Sequence, residues 1–93
     1  MYKYKFASAE NALIVQVWNK GREIPKYDPS VWRWDVSGKV MKFCDHGDTS
    51  SKHGWEIDHI KPQAKGGETA IHNLQPLQWE VNRAKGDTYP WHP

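Results

Sequence analysis

The sequence predicts a small α+β protein that folds as one domain over residues 1–93. That length supports one modest hydrophobic core and is too short for a second. Residues 54–87 contain two strand patterns, a glycine-rich connection and a helical pattern, which together predict a hairpin followed by a helix. Residues 1–53 are predicted to support this motif by packing, since six tryptophans and four tyrosines can bury large areas.

The first twenty residues predict a strand followed by a helix. Residues 2–6 alternate aromatic side chains with lysines, which is typical of an edge strand with a basic face. Ser8 is a suitable N-cap for a helix over residues 9–20, with Gly21 as its stop. The apolar run at residues 13–18 also fits a strand, so the helix has an alternative here.

The rest of the N-terminal region predicts a hairpin between two loops. Residues 25–30 contain two prolines and are predicted to form the first loop. Residues 31–43 predict a hairpin that turns at Ser37 and Gly38, and the polar stretch 45–52 connects this hairpin to the C-terminal motif. The N-terminal extension is therefore predicted as strand, helix and hairpin.

The C-terminal motif begins with a predicted strand at residues 55–60. Trp55 and Ile57 fall on one face of this strand, and Glu56 and Asp58 fall on the other, as expected of a half-buried strand. The strand is predicted to stop at the following proline, which cannot donate a hydrogen bond to a β-ladder.

A glycine-rich loop then leads to a returning strand and a helix. The loop covers residues 63–68, and the strand covers residues 73–77, ending at or near its proline. From residue 77 to residue 85, apolar side chains recur at spacings of four and three, and polar side chains line a neighbouring stripe. The apolar stripe consists of Leu77, Val81 and Ala84, and the polar stripe of Gln78, Asn82 and Lys85. Gly86 is the predicted C-cap.

Three polar residues of this motif have the chemistry for metal-assisted cleavage of a phosphodiester. A divalent cation beside a phosphate needs hard oxygen ligands, which the carboxylate of Asp58 and the amide oxygen of Asn82 can supply from two sides. The expected cation is Mg²⁺ or Mn²⁺, with Ni²⁺ or Zn²⁺ as alternatives. His59 directly follows Asp58, and a neutral imidazole near pH 7 can take a proton from the attacking water.

Four further residues are predicted to have supporting roles. Asn73, on the returning strand, is expected to bridge backbone groups of the hairpin and so to hold the peptide of His59. Lys85, Arg83 and Lys61 are candidate contacts to nucleic-acid phosphates, and Lys85 is the best placed because it lies one turn beyond the helical metal ligand. The alternative for these cations is an ordinary solvated charge.

The order of these residues resembles the HNH endonuclease family, in its variant with asparagine as the third signature residue. The resemblance rests on Asp58-His59, Asn73-Leu74, Asn82-Arg83-Ala84-Lys85 and the intervening Lys65-Gly66-Gly67. It implies a ββα-metal (His-Me finger) fold and the hydrolysis of DNA with one divalent cation. In the family pattern His59 is the general base, Asn73 orients it, and the products carry 5'-phosphate and 3'-hydroxyl ends.

Cysteine usage departs from one common form of that family. Many HNH domains clamp a structural zinc between two Cys-x-x-Cys pairs, whereas this chain has a single cysteine, Cys44. No structural zinc of that kind is therefore expected. One cysteine also excludes an internal disulfide, which is compatible with a reducing cytosol.

Charge is divided unevenly along the chain. Residues 1–42 hold eight Lys or Arg against four acids, and residues 43–93 hold five against seven. We expect the basic half to grip the backbone of a polyanion, with DNA as the partner and RNA as an alternative. A solvated basic face without a partner is the other interpretation, and the sequence identifies no protein partner.

The sequence predicts a protein that does not associate with membranes. No apolar run approaches the length of a membrane span, and the N-terminus lacks the apolar core of a signal peptide. A cytoplasmic protein of bacterial or phage origin is expected.

Two alternatives to a DNA endonuclease stay open at the level of sequence. One is a catalytically inactive module that binds nucleic acid or protein on the same fold. The other is a nuclease that cleaves RNA or acts as a toxin, because HNH-like modules serve many processes.

Overall fold

The computed structural model describes the backbone of residues 8–93 and the side chains from residue 11 onward. Within that range the chain forms two helices and five strands in an α+β arrangement, and neither helix is long and apolar enough to cross a membrane. The elements are α1 (Ser8–Trp18), β1 (Arg22–Glu23), β2 (Trp32–Trp34), β3 (Val40–Lys42), β4 (Trp55–His59), β5 (Leu74–Gln78) and α2 (Trp79–Lys85). Short 3₁₀ turns lie at Phe43–Asp45, Gln63–Lys65 and Ile71–Asn73. The predicted strand at residues 2–6 lies outside the described residues.

The segment whose sequence fits both a helix and a strand is a helix, α1. Its apolar residues at positions 13, 14, 17 and 18 follow helical spacing and pack on one core, so the strand alternative is wrong. Val17 and Trp18 are buried there. The helix ends at Trp18, two residues before the predicted end, and the Gly21 amide then donates to the Trp18 carbonyl at 2.9 Å.

The three-stranded sheet confirms the predicted N-terminal hairpin and adds one strand. β2 and β3 pair antiparallel, with Trp34 opposite Val40. The connecting turn contains Gly38 at a φ of 92°, a conformation that glycine adopts without strain. β1 pairs antiparallel with the other edge of β2. Its two residues, Arg22 and Glu23, are both charged and show no apolar alternation, so the sequence pattern does not predict this strand.

β4 and β5 form a separate two-stranded antiparallel sheet, which confirms the predicted C-terminal hairpin. His59 pairs with Leu74 at the loop end, and Trp55 pairs with Gln78 at the other end. The sequence pattern places the end of β5 at or near Pro76, but the strand continues for two more residues. A proline is tolerated because both strands of a two-stranded sheet are edges, so its nitrogen can face away from the ladder.

The second helix, α2, begins at Trp79, two residues later than predicted. Gln78 caps it, because its side-chain Oε1 accepts hydrogen bonds from the amides of Glu80 and Val81 at 3.0 and 3.2 Å. Gly86 ends the helix as predicted, at a φ of 53°, and its amide donates to the Asn82 carbonyl at 3.1 Å.

One aromatic cluster joins α1 to both sheets. The ring centroid of Trp18 lies 5.2 Å from that of Trp55 and 5.4 Å from that of Phe43. Trp55, Met41 and Leu74 are buried in the same cluster. The predicted use of tryptophan for core packing is therefore confirmed at Trp18 and Trp55, and the second of these fixes β4 to the N-terminal region.

A buried carboxylate, Asp35, links the two sheets. Its Oδ1 accepts hydrogen bonds from the amide and hydroxyl of Ser37 at 2.9 and 2.6 Å and from the amide of Lys39 at 2.9 Å. Its Oδ2 accepts from the amide of Gln78 at 3.0 Å. Because Gln78 ends β5 and caps α2, Asp35 connects the turn of the N-terminal hairpin to the start of α2.

We predict that Asp35→Ala destabilises the protein by about 1–3 kcal/mol more than Asp28→Ala, because it leaves the buried Gln78 amide without an acceptor. Asp28 is the matched control, since it makes the same contacts to the amide and hydroxyl of Ser30 at 2.9 and 2.7 Å but is exposed. Urea unfolding of both variants measures the difference. Equal losses would show that the contact between Asp35 and Gln78 contributes nothing.

Candidate functional site

A pocket of about 470 Å³ lies where β4, the loop after it and α2 meet. Its walls include Asp58 and His59 from the end of β4, Gln63 from the loop, and Asn82 and Arg83 from α2. The structure therefore brings the predicted metal ligands and the predicted general base to one cavity.

Asp58 lies on the face of β4 that α2 covers. Its Oδ1 accepts a hydrogen bond from the ammonium of Lys85 at 3.1 Å, and its Oδ2 accepts one from the side-chain amide of Gln75 at 3.0 Å. Only 6% of Asp58 is exposed, so this face of β4 is not a solvated face, contrary to the expectation of a half-buried strand. Helix α2 therefore shields Asp58 from solvent and also supplies its counter-ion.

Lys85 is buried, which corrects two expectations about α2. Its ammonium donates to the Asp58 carboxylate and to the His59 carbonyl, each at 3.1 Å, and 2% of the residue is exposed. The predicted apolar stripe is wrong at its last position, since Ala84 is exposed. A buried carboxylate needs a counter-ion, and this requirement turns Lys85 inward. The direct phosphate contact predicted for Lys85 is therefore not available in this conformation.

Asn82 and Arg83 both contact Glu56, the other acidic residue of β4. The Asn82 Nδ2 donates to Glu56 Oε1 at 2.9 Å, so Oδ1 is the amide atom left for a ligand. The Arg83 guanidinium donates to both Glu56 oxygens, at 3.2 and 2.8 Å. The hydrogen bond from Arg83 lowers the pKa of Glu56, with a smaller contribution from Asn82, and Glu56 in turn raises the pKa of Arg83. Glu56 thus stays ionised and holds the Asn82 amide in one orientation.

His59 is oriented by a hydroxyl that sequence reasoning missed. Its Nε2 lies 2.8 Å from the Thr69 Oγ1, and that hydroxyl also accepts a hydrogen bond from the Gln63 side chain at 3.1 Å. Thr69 belongs to the loop between β4 and β5, ten residues beyond His59. The only sequence signal for it is a polar side chain just after the glycine pair, which many loops share.

Asn73 bridges backbone groups of the hairpin, as predicted. Its Oδ1 accepts from the Lys61 amide at 2.9 Å, and its Nδ2 donates to the carbonyls of Lys61 and Glu68 at 3.0 and 2.8 Å. Gly67 lies against the same point, because a Cβ there would be 1.7 Å from the Lys61 carbonyl oxygen. The Asn73 side chain and Gly67 together therefore hold the two ends of the loop that follows His59 in contact. The influence of Asn73 on His59 itself stays a prediction.

The donor atoms of the pocket fit a hard divalent cation. Asp58 has two carboxylate oxygens that each accept one hydrogen bond, which leaves lone pairs for a ligand, and Asn82 adds an amide oxygen. Among the side chains that the structure describes, those of residues 11–93, no group of three or more His, Cys, Asp or Glu is placed to hold a metal. A set of one carboxylate and one amide is compatible with Mg²⁺, which keeps several waters and binds phosphate oxygens.

The hairpin and the helix packed on it form a ββα unit, with a carboxylate, an imidazole and an amide around one pocket. This arrangement is the ββα-metal class of nuclease fold that the motif implies. The family model of the HNH endonucleases matches residues 43–88. The predicted motif at residues 54–87 lies within the matched range, so the resemblance of this region to the HNH endonuclease family is confirmed. Neither the curated proteins nor the solved structures contain a match to the chain.

We predict that Asp58→Ala and Lys85→Met each destabilise the protein by about 3–5 kcal/mol, because each leaves an uncompensated buried charge. The double variant should lose clearly less than the sum of the two, since it removes both charges. The more exposed pair of Glu56 and Arg83 is the matched control on the same strand and helix, and its coupling should not exceed about 1 kcal/mol. Urea unfolding provides the four free energies of each cycle. Additive losses for Asp58 and Lys85 would contradict the pairing.

Proposed function

We propose that the protein is an endonuclease that hydrolyses DNA phosphodiester bonds with one divalent cation. The observation that carries this proposal is the shared pocket of Asp58, His59 and Asn82, two of which belong to β4 and one to α2. The HNH family match over residues 43–88 supports nuclease chemistry at this place.

Asp58 and Asn82 are the proposed ligands of the cation, which is Mg²⁺ or Mn²⁺ by preference, with Ni²⁺ or Zn²⁺ as alternatives. When bound, the cation offsets negative charge that develops on the phosphate and on the departing 3'-oxygen. Lys85 and Gln75 fix the Asp58 carboxylate from behind, and Glu56 fixes the Asn82 amide. Both ligands are therefore oriented by hydrogen bonds before any substrate arrives.

His59 is the proposed general base and removes a proton from the attacking water. When its Nε2–H donates to the Thr69 hydroxyl, the lone pair of the neutral ring lies on Nδ1, which is then the basic atom. Asn73 closes the loop that begins two residues after His59, so it supports the position of the ring without touching the substrate.

Phosphate binding is assigned to Arg83 and Lys61. Arg83 lines the pocket, and its side chain is 59% exposed even while it pairs with Glu56, so the guanidinium can contact an incoming phosphate. Lys61 belongs to the loop that begins beyond His59. Lys85 is reassigned from a phosphate contact to a support for Asp58, because it is buried against that carboxylate.

We predict that His59→Ala lowers the rate of plasmid DNA cleavage about 10²- to 10⁴-fold in the presence of Mg²⁺ or Mn²⁺, because the attacking water loses its base. The matched control is His72→Ala, which removes an exposed histidine of the same hairpin that lies 3.8 Å from Glu68 and outside the pocket of His59. This control should cleave at the parent rate.

The conversion of supercoiled plasmid to nicked and linear forms measures both rates, with a chelator as the metal-free reference. Cleavage by His59→Ala at the parent rate would end the assignment of His59. DNA binding without cleavage in any of the four cations would favour an inactive binding module. Faster cleavage of an RNA than of duplex and single-stranded DNA would reassign the substrate.

A further inference from the structure

The three-stranded sheet has two faces of different composition. Residues directly opposite each other in an antiparallel sheet project from the same face. Met41 lies directly opposite Arg33 in the sheet and is buried in the core. The face from which these two side chains project is therefore the inner face. The residue pairs on either side of Arg33 and Met41 project from the opposite face, which we call the outer sheet face. It consists of Arg22, Trp32, Trp34, Val40 and Lys42.

The outer sheet face contains a groove of about 260 Å³ with an aromatic lining. Its walls are Ile24, Tyr27, Trp32, Trp34, Val40 and His53. None of these described wall residues carries a carboxylate. Tyr27 is 60% exposed, and both tryptophans are only partly buried, so aromatic surface is open to solvent here. This groove shares no residue with the pocket that contains His59.

One cation lies over each of the two indoles of the groove. The Lys42 ammonium lies 5.5 Å from the ring centroid of Trp32, and the Arg22 guanidinium carbon lies 5.5 Å from that of Trp34. Among the side chains of residues 11–93, no carboxylate forms an ion pair with either cation, so both can contact an anion. The outer sheet face therefore presents aromatic rings and positive charge side by side.

We propose that the outer sheet face binds single-stranded DNA, with unpaired bases stacked on Trp32 and Trp34 and phosphates bound by Arg22 and Lys42. Aromatic rings interspersed with cations are the chemistry of sequence-tolerant single-strand binding, because every base has a face to stack and every nucleotide carries a charge. The choice of DNA rests on the proposed function. The positive charges of Arg22 and Lys42 favour a polyanion as the ligand. An apolar protein segment bound to this face would leave both cations without a counter-ion.

The test measures binding apart from cleavage. The His59→Ala variant of the 93-residue chain is titrated in chelator into a fluorescently labelled oligonucleotide of twenty thymidines, and anisotropy is followed. Trp34→Ala should weaken binding about 5- to 140-fold, and Trp32→Ala similarly, because each removes a stacking platform. Trp34→Phe should recover most of the affinity. The matched control is Tyr89→Ala, an exposed aromatic residue outside the groove, which should bind as the parent does.

Two charge variants provide a second, independent readout. Lys42→Gln and Arg22→Gln should each reduce the slope of log affinity against log salt by about 0.7, since each phosphate contact on a single strand contributes that amount. These exposed or partly exposed positions do not form the core, so the readout stands even if a tryptophan variant fails to fold by circular dichroism.

The proposal is overturned if Trp32→Ala and Trp34→Ala fold and bind the oligonucleotide as tightly as the parent, or if neither charge variant changes the salt slope. It is also overturned if a matched duplex, whose bases cannot stack on protein, depends on Trp34 as strongly as the single strand does. A matched RNA that binds tenfold more tightly would overturn the choice of DNA.

The outcomes separate this proposal from the proposed cleavage activity. If the oligonucleotide binds through Trp34 but no metal supports cleavage by the unmutated protein, the endonuclease assignment fails alone. If cleavage depends on His59 but binding does not depend on Trp34, the assignment of the outer sheet face fails alone.

Discussion

A buried ion pair between β4 and α2 is the contact on which the candidate site depends. Asp58 and Lys85 are almost inaccessible to water, and removing two charges from water costs free energy that their attraction must offset. Two further hydrogen bonds help to offset this desolvation cost. Gln75 donates to the Asp58 carboxylate, and Lys85 donates to the His59 carbonyl. Because Asn82 lies about one turn before Lys85, the contact that fixes the end of α2 also places the Asn82 amide at the wall of the same pocket.

The hairpin that carries the site is stabilised by different interactions on its two faces. Trp55 packs into the aromatic core with Trp18, whereas Asp58 and Glu56 bond to the helix on the other side. The helix has seven residues, too few for stability in isolation, so these polar contacts and its N-cap decide where it forms. Core packing thus positions the strand, and charge pairing positions the helix on it.

The local parts of this architecture and the shared pocket of Asp58, His59 and Asn82 can be predicted from the sequence, whereas individual pairings between other distant side chains cannot. The glycine loop and the two strand patterns identify the hairpin, and Gly86 identifies the end of α2, because each acts through its neighbours. The burial of Lys85 and the exposure of Ala84 depend instead on a partner 27 residues away, which helical periodicity does not contain. The contact of Thr69 with His59 cannot be predicted from the sequence for the same reason, since the two residues are ten positions apart. At α1, helical and strand patterns overlap, and only the core that receives Val17 and Trp18 decides between them.

A crystal structure of the protein soaked in Mn²⁺, with the ion located by its anomalous scattering, would show directly whether Asp58 and Asn82 bind one cation. We predict one ion in the pocket beside His59, bound by a carboxylate oxygen of Asp58 and by the amide oxygen of Asn82. An ion bound elsewhere, or an ion that contacts Asp58 while Asn82 stays turned away, would contradict the claim that these two residues share one cation.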